Sequence, residues 1–244
     1  MTAATRRAHG ASVRRHPAAS SLPRDTEATA FTTLLTELIG RVPGARAAAL
    51  VDRDGESVDY AGALSPFDVK IAAAHWRIVL GELDRTRLLT QPRHIVVRGR
   101  QKSFIVRALA DAYAVVVVMS KRAGFVPAPR AFLVFERALR AEAGIGTAPE
   151  GPVWTPVVVD QDARARPRTV ASAAYAAAQP LEVLGAVMGL GPGERGFRVR
   201  LSTGFETTLV REPGGAWYAD EPIDPPEGGQ RSRPPGRQTG RPKK

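Results

Sequence analysis

The chain has 244 residues, a hydrophobic fraction of 43% and no cysteine, so it can bury a core but has no disulfide, thiolate metal site or cysteine nucleophile. The net charge of +11 is concentrated at the ends. Residues 1–25 carry five arginines against one acid and residues 225–244 six basic residues against one, which leaves +2 for everything between. A nucleic-acid-binding body is therefore not indicated. Tails so rich in Pro, Gly, Ser and Arg bury too little apolar surface to offset their ordering entropy and are expected to be disordered. The longest unbroken apolar run, Tyr113 to Met119, is far short of a membrane span, and no secretory signal opens the chain, so a cytoplasmic protein is expected.

Phe31, Leu34, Leu35, Leu38 and Ile39 recur at the spacing of a helix with one buried face, with Asp25 or Thr26 as the cap. Val42-Pro43-Gly44 ends it, because proline lacks the amide hydrogen and disfavours helix at the residue before it. Ala45–Val51 reads as a central strand whose three alanines allow helices to pack closely. Asp52-Arg53-Asp54-Gly55 turns it back into a more polar edge strand at 56–60. Ser65 and Pro66 start a second helix running to about Leu83, with Asp68 facing its exposed amides. This helix carries two apolar stripes, one through Phe67, Ile71, Ala74 and Ile78 and one through Val69, Ala73, Trp76, Leu80 and Leu83. One sheet face needs only one stripe, so a second partner is implied.

Residues 93–98, 102–108 and 113–120 read as three strands joined by turns too short for crossover helices, hence antiparallel, with Val115–Val118 covered on both faces. A third helix is expected over Pro129–Ala143, buried through Ala131, Val134, Phe135, Ala138 and Glu142 and stopped by Gly144. After a linker at 145–152, residues 153–224 read as a small α+β unit. It has a strand at 153–160, helices at 170–178 and 180–189, and strands at 197–201, 206–211 and 216–219.

The order helix, strand, strand, helix, three strands, helix resembles the roadblock/dynein light-chain family, which includes bacterial GTPase regulators of the MglB type. Leu34, Leu35, Leu38, Val42, Pro43, Gly44, Ala48, Leu50, Val51, Asp52, Asp54 and Gly55 carry the resemblance, which covers 26–144, about half of the chain. It implies an α+β fold in which a five-stranded antiparallel sheet has the first and last helices on one face and the middle helix on the other. It also implies a homodimer, or a heterodimer with another roadblock protein, in which the strand after the second helix pairs across a two-fold axis. The interface residues would then be Trp76, Val79, Leu80, Leu83, His94, Ile95, Val96 and Val97. By function, it implies a non-enzymatic regulator or scaffold for a small Ras-like GTPase, with no cofactor. Polyanion or nucleic-acid binding through the basic tails is the alternative reading.

Three tempting motifs carry no chemistry. Gly189 to Gly196 is glycine-rich, but a phosphate-binding loop follows a strand and opens a helix, whereas this segment leads into a strand. Asp52 would begin a calcium loop whose twelfth position, where glutamate is needed, is Ala63. His75 and His94 lack partners at metal-ligand spacing, and no serine lies in a nucleophile elbow, so neither a metal site nor a covalent hydrolase is expected.

Overall fold

The computed structural model describes residues 24–86, 94–109, 113–121, 123, 126–146, 152–172 and 177–223. The expectations for the two tails, apart from Arg24 and Asp25, and for most of the linker lie outside these residues.

The first unit runs α1 (Ala30–Arg41), β1 (Ala45–Val51), β2 (Ser57–Gly62), α2 (Pro66–Arg85), β3 (His94–Val97), β4 (Ser103–Ala108), β5 (Ala114–Met119) and α3 (Pro129–Ala143). The strands form one antiparallel sheet in the order β2-β1-β5-β4-β3. Helices α1 and α3 cover one face through Leu35, Leu38, Phe132, Phe135 and Leu139 over Ala48, Leu50, Val115 and Val117. Helix α2 covers the other through Val69, Ala73 and Leu80 over Ala47, Ala49, Val116 and Val118. This is the architecture that the roadblock resemblance implies. Every residue of β5 is buried, as a strand between two helical layers must be. The buried stripe of α3 includes Phe132 and Leu139 in place of the half-buried Val134 and Ala138.

Local chemistry sets the ends of these elements. Thr29, not Asp25 or Thr26, caps α1: its hydroxyl accepts from the Phe31 amide at 3.1 Å, and the Thr32 hydroxyl accepts from the Thr29 amide at 3.0 Å. Arg24 and Asp25 belong to the folded body and not to a tail. Arg24 pairs with the buried Asp59, while Asp25 accepts from the Tyr60 hydroxyl at 2.6 Å and from Lys70 at 2.9 Å. Ser65 accepts from the Asp68 amide at 3.2 Å, with Pro66 in the first turn of α2. Gly144 closes α3 in the left-handed region at φ 65°.

The second unit corrects the sequence reading. It contains β6 (Thr155–Gln161), β7 (Pro167–Ser172), β8 (Gln179–Val187), β9 (Arg195–Leu201), β10 (Glu206–Arg211) and β11 (Trp217–Ala219). These form a closed antiparallel barrel in the order β10-β11-β6-β7-β8-β9, with no helix among its described residues. Residues 170–172 of the first expected helix continue β7, and 179–187 of the second form β8. Leu181, Leu184 and Met188 imitate a helical stripe because the outer barrel face also carries apolar residues: Leu184 is 37% and Met188 86% exposed. The glycine-rich stretch at 189–194 is the turn between β8 and β9.

The units meet along the outer face of β10 and β11. Leu209, Trp217 and Ala219 fill the barrel core, while the intervening Val210 and Tyr218 are also fully buried. There the Glu212 carboxylate accepts from the Arg130 backbone amide at 2.7 Å and the Arg130 guanidinium bonds Glu194. A Cβ built on Gly214 would lie 2.4 Å from Cγ of Pro43.

Candidate interaction surface

The exposed surface of the first unit is set by the two stripes of α2. The stripe through Val69, Ala73 and Leu80 is sealed against the sheet, and Trp76 lies half-buried with its ring 5.3 Å from that of Phe104. The stripe through Phe67, Ile71 and Ile78 faces outward, and these side chains are 73%, 56% and 61% exposed. Of the residues expected at an interface, Leu80 is therefore a core residue, while Val79 and Leu83 are half-buried. On α2 the large apolar side chains left exposed are Phe67, Ile71 and Ile78. Their spacing is visible in the sequence, but which of two stripes meets the sheet is decided by the packing of α2 on β1 and β5.

The remaining expected residues lie on β3, which among the described residues pairs only with β4 and ends the sheet. Its outer side offers unpaired backbone donors and acceptors, the arrangement by which sheets join. His94 is exposed and Ile95, Val96 and Val97 are half-buried. Ile95 contributes to the α2 side of the core. On the other face, His94 lines an apolar pocket of about 250 Å³ with Ile105, Arg107, Pro127 and Phe132. Arg107 lies 3.8 Å from Glu136 and stacks over the Phe132 ring. A second cleft, of about 600 Å³, lies beside the C-terminal half of α2 and is lined by Arg53, Asp54, Arg77, Glu82 and Asp84, charges of both signs. Arg77 donates to the Asp52 carbonyl at 3.0 Å and ties the β1–β2 turn to the helix. Asp52 itself shapes that turn, accepting from the Asp54 and Glu56 amides at 3.0 and 2.9 Å.

Among the described residues no cluster of three or more His, Cys, Asp or Glu has metal-binding geometry, and no helix is long and apolar enough to cross a membrane. The surface thus offers apolar area and a free strand edge, a combination suited to another protein.

No family model matches the chain, and no curated protein matches it. Solved structures do. The roadblock/LC7 domain from Streptomyces avermitilis shares 20% identity over 46% of this chain and 97% of that one, with a TM-score of 0.41. Myxococcus xanthus MglB shares 16% over 49% and 98%, with a TM-score of 0.41. The gliding protein MglB from Thermus thermophilus shares 19% over 49% and 96%, with a TM-score of 0.40. Over about half of its length this chain is therefore similar to roadblock/LC7 and MglB structures, at the level of the fold.

Proposed function

We propose that the first unit is a dimeric, non-enzymatic regulator or scaffold of the cytoplasm that binds a small Ras-like GTPase or a complex containing one. The observation that carries this reading is the outward stripe of Phe67, Ile71 and Ile78 on α2, on a unit whose sheet ends in the free strand β3. A two-fold axis would set each β3 against its copy and bring the two α2 helices together, since an isologous interface places the same patch on both sides. Covering a large apolar side chain contributes about 1.5–3 kcal/mol when burial is complete. The stripe is thus a sufficient nucleus for a dimer whose rim is polar. The sequence resemblance supports the GTPase as partner.

The test is a mass and a binding measurement on the purified 26.1 kDa chain. Light scattering is expected to give twice that mass, and Ras-like GTPases from the same genome, loaded with GDP or a GTP analogue, are expected to be retained on the immobilised protein. A monomer that retains no GTPase in either nucleotide state overturns the proposal.

A further inference from the structure

The junction between the two units holds one guanidinium and two carboxylates with little access to water. The side chains of Arg130, Glu194 and Glu212 are 10%, 7% and 1% exposed. Arg130 gives its guanidinium to Glu194, and the same nitrogen is 4.0 Å from Oε1 of Glu212. Glu212 engages the helix instead: its Oε1 accepts from the Arg130 backbone amide at 2.7 Å, at the start of α3, where Ala128 supplies no side-chain cap. A residue of the barrel therefore caps a helix of the other unit. The second oxygen of Glu212 and the Tyr218 hydroxyl are both buried and are each other's polar neighbours.

The other charged and titratable groups around Glu212 do not neutralise it. Arg41 of α1 donates to Glu37 at 2.9 Å, Glu194 before β9 is itself anionic, and Tyr218 of β11 is a phenol. Trp154 ahead of β6 covers the Arg130 guanidinium, its ring centroid 4.2 Å from Cζ, and excludes water from that side. If both carboxylates were charged, Glu194 and Glu212 would share the single Arg130 guanidinium, which is nearer Glu194, and the buried junction would hold one more anion than cation there, a state that buried carboxyls avoid by holding a proton.

We propose that Glu212 is a proton-operated latch between the sheet unit and the barrel. Protonated, it caps α3 through Oε1 and offers Oε2–H to the Tyr218 hydroxyl. Deprotonated, it sets a second buried carboxylate against the one guanidinium that Glu194 already holds, and the units loosen. Burial pushes the Glu212 carboxyl up to about 7, against the lowering pull of the Arg130 amide, the Arg130 charge and the Tyr218 hydroxyl, with the Glu194 carboxylate raising it further. The docked protein thus binds a proton that the separated units release near pH 4.5. Docking is strongest below about pH 4.5, weakens as pH rises to about 7, and is level above that.

The absence of cysteine permits a direct test on the full chain. Thr33→Cys on α1 and Thr203→Cys on the β9–β10 turn, both exposed, take a donor and acceptor dye pair. In urea adjusted to separate half of the molecules at pH 6, the ratio of separated to docked protein is expected to rise by up to about tenfold per unit between pH 5 and 7. Glu212→Gln keeps the cap and carries no charge, and is expected to stay docked with a flat profile over that range. A pH-independent wild type, or a Gln variant that follows the wild-type curve, overturns the latch. Should the variant not fold, the side-chain carboxyl carbons of 13C-glutamate-labelled wild type decide: one glutamate titrating near 7 supports the latch, and all of them titrating below about 5 overturns it.

Discussion

Ala165 sits at φ 59° and is the one non-glycine with positive φ among the described residues. Its turn is one of four with the same bonding, in which the amide of the left-handed residue reaches the carbonyl three positions back. The other three place Gly55, Gly204 and Gly215 there. A side chain in that region costs about 1–2 kcal/mol, part of which glycine returns as greater freedom in the unfolded chain. Ala165→Gly should therefore raise stability by about 0.5–1 kcal/mol in urea unfolding. Gly204→Ala, where a Cβ meets nothing within 4 Å, should lower it by a similar amount for the same reason. Asp59 is the opposite case, a buried residue with every bond made. Its carboxylate accepts from Thr29 at 2.6 Å, Thr32 at 2.5 Å, Arg24 at 2.5 Å and the Tyr60 amide at 2.7 Å. Burial alone would push its pKa up, and these four donors together outweigh it and hold the pKa below the ordinary carboxylate value. The stabilisation from Asp59 is then present above about pH 3.8 and lost as pH falls below it. Asp59→Ala should cost about 2–3 kcal/mol at pH 7 and remove that acid-side loss from the unfolding curve.

Helix α2 shows how far a sequence determines an element without determining its use. Its cap, length and two apolar stripes follow from spacing alone, and β1 and α3 begin and end where proline and glycine require. Choosing the covered stripe needs the third dimension, because the larger apolar side chain of Ile71 faces solvent while the smaller one of Ala73 is buried against the sheet, the reverse of what hydrophobicity alone would select. Substitution separates the two faces. Ile71→Asp should change protomer stability by no more than about 0.5 kcal/mol while reducing self-association in sedimentation equilibrium. Leu80→Asp should abolish folding, because it places a charge in the core under the sheet. The barrel strands were less legible. Strand β8 alternates Leu181 and Val183 inward with Glu182 and Leu184 outward, but Leu184, Ala186 and Met188 leave its solvent side apolar too. Period-2 contrast then disappears, and the alanines of 171–178 favour a helical reading.

At the scale of the molecule, the barrel covers the end of the sheet unit formed by the α1–β1 turn and the start of α3. The outward stripe of α2 is left exposed, so the proposed self-association would draw on a different surface from barrel docking. The proline that ends α1 has a second role here, since Gly214 of the barrel lies against its ring. The pyrrolidine cannot rotate away from an added methyl group as a flexible chain would. Gly214→Ala should therefore act as a wedge, weakening the join by about 1–3 kcal/mol in the unfolding of the full chain. That cost involves no proton and should be the same at pH 5 and pH 8. A bare backbone position thus gives the join a steric control with no dependence on acidity, by which the two units can be prised apart through volume alone.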